Sequence, residues 1–221
     1  DRPSGRGRQL KAPPVKQAAQ RLGYEIIQPE KVRTDAFVET VSGYRPDFQV
    51  VVAYGHILTR RILDIPERGS INVHASLLPK YRGAAPIHWA VINGESETGI
   101  TTMFMDEGMD TGDILLSARE PIRSEDDTGS LHDRLAELGA GLLIETLEGL
   151  ADGTVRPAPQ DHAKATYAPM FKKDAGIIPW EKTAGQVVDW IRGMTPWPGA
   201  VTYLDDQRLK IFKATTAAAP T

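Results

Sequence analysis

The chain has 221 residues, enough for one large domain and part of a second. Hydrophobic residues make up 41% and charged residues 25%, an ordinary globular balance that excludes a disordered tail or a fibrous protein. Cysteine is absent, which excludes a disulfide framework and a thiol nucleophile, and no apolar run approaches the ~18 residues of a membrane span.

Charge is distributed unevenly along the chain. Residues 1–33 contain eight Lys or Arg against three Asp or Glu, whereas residues 105–152 contain three against thirteen. A basic arm on an acidic body predicts a local anionic partner rather than general coating of nucleic acid. Because both ends resemble cut loops, we interpret the chain as a fragment. We expect a monomer in a bacterial cytoplasm, with an organelle left open.

Apolar periodicity and breaker residues predict alternating helices and strands over residues 1–152. The predicted helices cover residues 13–22, 34–43, 59–63, 84–93 and 128–150, with Gly23 as the stop of the first and Thr34 as the cap of the second. The predicted strands cover residues 24–28, 48–53, 70–75, 99–105 and 113–120. Residues 48–53 form a continuous β-branched run, which is typical of a strand buried on both faces. We therefore predict an α/β, doubly wound, mostly parallel sheet.

A change in composition near Asp152 predicts a second structural unit. Residues 153–173 are polar and rich in proline, as in a linker. Residues 174–221 contain a helical stretch at 184–192 and strand-like runs at 201–204 and 209–212. We interpret them as the start of a small C-terminal β-barrel domain.

The sequence places its densest polar cluster after a predicted strand, at Asn72 and His74. Residues two apart on a strand face the same side, and ligands of open α/β sheets bind at the carboxyl ends of strands. An amide beside an imidazole suits stabilisation of an oxyanion and movement of a proton. The alternative is a histidine that packs and an asparagine that binds a turn.

A second cluster, residues 105–113, holds the carboxylates of Asp106, Glu107, Asp110 and Asp113 with two glycines. A carboxylate from this loop that reaches His74 would fix the imidazole tautomer. The spacing lacks the final bidentate glutamate of a calcium loop, and an acidic surface hairpin is the alternative.

Two further segments are candidate binding elements. Arg2, Arg6, Arg8 and Lys11 lie on a Gly/Pro-rich stretch that could clamp phosphates, or could be a solvated loop. Residues 54–58 follow a predicted strand and could line a pocket for a flat ring, or could form a simple strand-to-helix turn. No phosphate-binding glycine motif and no zinc spacing is present.

The string NVHASLLPKYRGAAPIHWAVINGESETGITTMFMDEGMDTGDIL, residues 72–115, resembles the signature of the folate-dependent formyltransferases. The opening DRPSGRGRQL, the segment VVVAYGHIL and the later PWPGA resemble the branch of that family that acts on methionyl-tRNA. The resemblance covers nearly the whole chain. Its core motif is specific for the superfamily, while the basic loop favours the tRNA branch.

The resemblance implies a role for individual residues of this chain. The catalytic trio of the family corresponds to Asn72, His74 and Asp110. Contacts to 10-formyltetrahydrofolate correspond to Ser76, Leu77, Leu78 and Pro79, with the turn at Tyr54, Gly55, Ile57 and Leu58 bordering the pterin pocket. Contacts to tRNA correspond to Arg6, Arg8 and Lys11. No metal is implied.

The implied reaction moves a formyl group from 10-formyltetrahydrofolate to the α-amine of methionyl initiator tRNA. Asn72 and His74 would stabilise a tetrahedral intermediate, and Asp110 would assist proton transfer. Three alternatives remain open: a formyltransferase for a sugar-nucleotide amine, a formyltetrahydrofolate hydrolase, and a folate- or RNA-binding fragment without turnover.

Overall fold

The structure is a computed structural model that describes residues 2–4, 9–172 and 174–217. Two short strands, β1 (Arg2–Ser4) and β2 (Gln9–Lys11), pair antiparallel at the start of the chain. Two of the expected phosphate contacts, Arg6 and Arg8, lie outside the described residues. The third, Lys11, lies in β2, and its side chain is likewise outside the description.

The first two helices start and stop at the residues that the sequence predicts. The first helix ends at Gly23, which adopts a φ of 74°, and the second begins at Thr34, whose hydroxyl accepts the amide hydrogen of Phe37. The six α-helices found in the described residues are α1 (Pro14–Leu22), α2 (Asp35–Gly43), α3 (Arg60–Leu63), α4 (Pro86–Ile92), α5 (Thr128–Asp152) and α6 (Ala184–Met194).

The central sheet has the strand order β3-β4-β5-β6. These strands are β3 (Gln49–Val51), β4 (Ser70–His74), β5 (Glu97–Phe104) and β6 (Ile114–Pro121). The α/β class is confirmed, but the sheet is mixed: β3 and β4 pair parallel, while β4–β5 and β5–β6 pair antiparallel. The loop between β5 and β6 is too short for the crossover that a parallel pair requires.

Two strand predictions need correction at the β3 edge of the sheet. Residues 24–28 form no strand, and β3 is shorter than predicted. Among the described residues β3 has one strand neighbour, so its outer side offers an open edge. Val50 and Val52 are 39% and 56% exposed, which contradicts the expected burial on both faces, whereas Val51 is buried.

Helix α5 packs on a face of the sheet, against strands β5 and β6. Its apolar face buries Leu131, Leu135 and Leu142 against Ile100 of β5 and Val91 of α4. A reciprocal pair of hydrogen bonds between Asp127 and Ser130 caps the start of this helix. This packing fixes β4 and β5, which carry the candidate site.

The rest of the chain returns to the sheet before a final hairpin. Within residues 153–172, Gln160 and Ala168 are fully or almost fully buried. Helix α6 packs on α4, and strands β7 (Ala200–Leu204) and β8 (Gln207–Ile211) form an antiparallel pair. The domain boundaries stay a prediction. In the described ranges no helix combines the length and apolar character that crossing a bilayer requires.

Candidate active site

Strand β4 places Asn72 and His74 on one face at its carboxyl end. The side-chain amide of Asn72 donates a hydrogen bond of 3.2 Å to the carbonyl of Val51. Val51 is the register partner of Asn72 on β3, so the parallel pairing itself delivers this acceptor. The amide plane of Asn72 is therefore held by the neighbouring strand.

His74 is a buried imidazole, with 6% of its surface exposed. Its Nε2 donates a hydrogen bond of 2.9 Å to the main-chain carbonyl of Tyr81. Its Nδ1 faces Oδ2 of Asp110 at 3.7 Å, which is beyond hydrogen-bonding distance. The backbone of Tyr81, rather than the expected carboxylate, fixes the ring and leaves Nδ1 for other groups.

Asp110 is the carboxylate of the acidic loop that the structure brings to His74. Its Oδ2 accepts a hydrogen bond of 2.7 Å from the main-chain N–H of Gly83. Asp106 instead closes the loop on itself, accepting from Thr111 and from the amide of Gly108. Nowhere in the described chain do three or more His, Asp or Glu side chains gather as a metal would require.

Both groups that face His74 belong to residues in the left-handed region of the backbone. Tyr81 has a φ of 60° and Asp110 a φ of 54°. This conformation is tolerated by aspartate but uncommon for a bulky tyrosine, so the surrounding structure must hold it in place. The phenol of Tyr81 donates to Glu95 at 2.7 Å, and burial raises the pKa of Tyr81 to about 12. The phenol therefore stays protonated and anchors this loop.

The Ser-Leu-Leu-Pro turn after β4 is built by its own buried groups. The Ser76 hydroxyl donates to the carbonyl of Lys80 at 2.6 Å. Thr101 of β5 donates to the carbonyl of Ser76 and accepts the amide hydrogen of Leu78. Ser76 and Leu78 are buried, whereas Leu77 and Pro79 are half-buried. Sequence reasoning missed Thr101, since a threonine within a strand carries no distinguishing signal.

The turn after β3 borders an open cleft of about 480 Å³. Tyr54 and Leu58 line this cleft, while Ile57 is 75% exposed and does not. Gly55 adopts a φ of 71°, which permits the tight turn between them. The cleft also contacts the side of β3 and helix α2, and it does not include Asn72, His74 or Asp110. The two turns are adjacent because β3 and β4 run parallel.

A third segment, residues 160–168, holds the loop between Pro79 and Ala85. The amide of Arg82 donates to the carbonyl of Thr166, and the amide of Ala168 donates to the carbonyl of Arg82. An added Cβ on Gly83, whose φ is 118°, would lie 2.8 Å from the carbonyl oxygen of Ala168. Sequence reasoning assigned this segment no role in the site, because its prolines indicate only a connection.

Comparison with known proteins supplies the family. A model of the formyl transferase family matches residues 1–147, and a model of the formyl transferase C-terminal domain matches residues 170–220. The chain belongs to the formyl transferase family. It is 55% identical over 218 residues to a methionyl-tRNA formyltransferase of Citrifermentans bemidjiense, covering 99% of this chain and 69% of that relative. It spans about two thirds of the length of such relatives.

Several solved structures share the fold. A sugar N-formyltransferase from a Shewanella species superposes with a TM-score of 0.73 at 20% identity, covering 91% of this chain and 81% of that one. HypX from Aquifex aeolicus, solved in complex with tetrahydrofolic acid, gives a TM-score of 0.68 at 20% identity, covering 80% and 30%. At these identities the likeness concerns the fold, while the high-identity relatives carry the family membership.

Proposed function

We propose that the protein transfers the formyl group of 10-formyltetrahydrofolate to the α-amine of methionyl initiator tRNA. One observation carries the chemistry: the Nδ1 atom of His74 faces the carboxylate of Asp110 at the end of the strand that also carries Asn72. The relatives named methionyl-tRNA formyltransferases support the acceptor, and the tetrahydrofolic acid complex of a fold neighbour supports the donor.

Asn72 and His74 act on the formyl oxygen in this proposal. The amine nitrogen attacks the formyl carbon, and negative charge develops on the oxygen of a tetrahedral intermediate. The amide of Asn72 has two N–H donors, of which Val51 engages one, so the other is available to that oxygen. Because Nε2–H of His74 donates to the carbonyl of Tyr81, Nδ1 is the second donor when the ring carries both protons. Removing one such donor typically slows turnover by about 10²–10³.

Asp110 moves the proton. When the C–N bond forms, the attacking amine becomes positively charged and must release a proton, while N10 of the folate must gain one as the old C–N bond breaks. The carboxylate of Asp110 lies beside His74 and keeps one oxygen occupied by the Gly83 amide. Its other oxygen accepts the amine proton, directly or through water, and the same group delivers a proton to N10. No enzyme-bound covalent intermediate is required.

The substrates would be held by the turns around this centre. The Tyr54–Leu58 turn presents an aromatic ring and an aliphatic side chain to an open cleft, which is a surface suited to a flat heterocycle. The turn after β4 offers Leu77, Pro79 and main-chain groups to the same ligand. The basic residues Arg6, Arg8 and Lys11 would contact phosphates of the acceptor stem. We also propose a bacterial cytoplasmic location and a monomeric state.

A direct assay separates the competing activities. The sugar N-formyltransferase neighbour shows that this architecture also occurs with a sugar amine as acceptor. The full-length protein is mixed with 10-formyltetrahydrofolate and methionyl-tRNA, and formylmethionine, formate and tetrahydrofolate are measured. Formylmethionine is the expected product. Formate without formylmethionine indicates a hydrolase, and tight folate binding with neither product indicates a binding protein.

A further inference from the structure

Gln160 is a buried amide, 5% exposed, whose two ends bind different parts of the site. Its Oε1 accepts hydrogen bonds from Nε and Nη2 of Arg82, at 3.2 and 2.6 Å. Its Nε2 donates to the main-chain carbonyls of Asp110 and Gly112, at 2.9 and 2.7 Å. One side chain therefore connects the loop after β4 to the loop that carries Asp110.

Arg82 determines which way this amide points. The guanidinium can only donate hydrogen bonds, so it binds the oxygen of the Gln160 amide and not the nitrogen. Arg82 is 2% exposed, and the described residues place no carboxylate within ion-pair distance of it. Its remaining side-chain contact is to Nδ1 of His162 at 3.1 Å. A buried cation without a counter-ion is costly, which leaves the amide oxygen of Gln160 as its principal acceptor.

The donor end of Gln160 acts on a strained part of the chain. Asp110 has a φ of 54°, and Gly112 lies so close to Phe104 that an added Cβ would meet its carbonyl oxygen. Two hydrogen bonds to the carbonyls on either side of Thr111 hold this conformation against relaxation. The amide of Gly83 then fixes the carboxylate of Asp110 itself.

We propose that Gln160, oriented by Arg82, is a positioning residue that holds the Asp110 carboxylate opposite Nδ1 of His74. This inference rests on the proposed function, because it assigns Gln160 an effect on the step that Asp110 performs. Gln160 hydrogen-bonds the main chain of the Asp110 loop rather than the Asp110 carboxylate, so it acts through the backbone. Loss of this constraint displaces a proton-transfer group by a fraction of an ångström to an ångström, and displacements of that size can slow turnover about 10²-fold.

The substitution Gln160→Glu separates the two ends of the amide. Glutamate has nearly the same shape as glutamine and still offers an oxygen to Arg82. Its negative charge and the positive charge of Arg82 compensate each other. It replaces the N–H donors by an oxygen that faces the carbonyls of Asp110 and Gly112, and two acceptors repel each other. The fold is expected to persist because the buried charge is compensated, while the Asp110 loop loses its support.

The test compares the parent protein, Gln160→Glu and the control Gln207→Glu, which makes the same chemical change at an exposed position of β8. Formylmethionine production gives kcat and the KM for each substrate. We expect Gln160→Glu to lower kcat by 10- to 100-fold with both KM values within threefold of the parent, and Gln207→Glu to match the parent. A kcat for Gln160→Glu within twofold of the parent overturns the inference. A parent protein without formyl transfer overturns the proposed function instead.

A second variant and a second measurement keep the inference testable if Gln160→Glu does not fold. Gln160→Met removes the hydrogen bonds to Arg82, Asp110 and Gly112 without adding charge, and it is used if Gln160→Glu loses its thermal transition. The side-chain ¹⁵N resonance of His74 Nδ1 is recorded for the parent and for whichever variant folds. We expect a shifted resonance and a lower kcat together. An unchanged resonance and an unchanged kcat in a folded variant contradict the positioning role.

Discussion

The Nδ1 atom of His74 and the Oδ2 atom of Asp110 lie 3.7 Å apart, with the Oδ2 atom already bound to the amide of Gly83. The separation is too long for a direct hydrogen bond, and it lies within ion-pair distance only when the imidazole is protonated. The main chain of Tyr81 holds the imidazole, so Asp110 is not needed for that task. In the proposed reaction, the other oxygen of the carboxylate exchanges a proton with the substrate.

Replacing Asp110 by asparagine tests whether this carboxylate transfers a proton. Asp110→Asn keeps an oxygen for the Gly83 amide and removes the charge and the proton acceptor. We expect the fold to be retained and kcat for formyl transfer to fall by about 10²–10⁴ with the KM for folate little changed. The control is Glu107→Gln, the same chemical change at an exposed position of the loop. A kcat within threefold of the parent would remove Asp110 from proton transfer.

Truncation of the imidazole gives a second prediction. In the proposed mechanism, His74→Ala in the full-length protein removes a donor to the formyl oxygen and the ring that faces the carboxylate of Asp110. We expect formyl transfer to fall by about 10²–10³ or more, with secondary structure by circular dichroism unchanged. His132→Ala, at an exposed histidine of α5, is expected to retain full activity. Turnover of the His74 variant within a few-fold of the parent would exclude the imidazole from the mechanism.

Sequence reasoning succeeded where local signals coincide with the fold. Gly23 and Thr34 mark helix ends by their own backbone and side-chain chemistry, and both predictions are confirmed. The spacing of Asn72 and His74 also predicts a shared face, because a strand repeats every two residues. These features depend on a few adjacent residues and need no knowledge of distant contacts.

The failures concern contacts between segments far apart in the chain. Residues 24–28 have an apolar pattern suited to a strand, but a strand forms only beside a neighbour, and the described chain provides none for them. The partners of the site, Arg82 and Gln160, are 78 residues apart, and the intervening sequence contains no sign that they meet. Likewise, the main-chain carbonyl of Tyr81 as the partner of His74 is invisible to a motif of side chains.

The crowded backbone around Gly83 leads to a third prediction. Gly83→Ala introduces a Cβ at 2.8 Å from the carbonyl oxygen of Ala168, in a conformation with a φ of 118°. We expect a loss of about 1–3 kcal/mol in the free energy of unfolding and a lower kcat, because the amide that binds Asp110 must move. Stability is measured by urea denaturation.

The matched control is Gly141→Ala on an open face of α5, where nothing lies within 4 Å of the added Cβ. We expect this variant to gain about 0.5–1 kcal/mol, since alanine favours a helix over glycine. Equal stability of the two alanine variants would contradict the close approach of Ala168 to Gly83.

The basic arm yields a prediction that is independent of the site geometry. Arg6→Ala and Arg8→Ala each remove a cation expected to contact a tRNA phosphate. We expect the affinity for methionyl-tRNA to fall and the slope of log affinity against log salt to decrease by about 1 per contact, with folate binding unchanged. Arg156→Ala, at an exposed arginine outside residues 1–11, is the control. An unchanged tRNA affinity over a salt titration would assign the arm to a solvated loop.

A final prediction concerns stability and pH at the start of α5. The carboxylate of Asp126 is buried and accepts two hydrogen bonds of 2.6 Å from Arg134, with further bonds from the hydroxyl of Ser130 and the amide of Arg123. The hydrogen bonds from Arg134 hold the pKa of Asp126 far below its usual value, against the opposing effect of burial. The folded state thus favours the ionised form.

Because the folded pKa of Asp126 is depressed, this group stabilises the protein fully above the ordinary carboxyl pKa of about 4, and the contribution is lost as pH falls below it. Asp126→Asn leaves Arg134 without its main counter-charge and is expected to cost about 3 kcal/mol at pH 7. The difference in unfolding free energy between parent and variant should shrink from pH 5 towards pH 2. Glu125→Gln, an exposed neighbour, is expected to change stability at pH 7 by less than about 0.5 kcal/mol. A difference between parent and Asp126→Asn that stays constant over this pH range would contradict the depressed pKa.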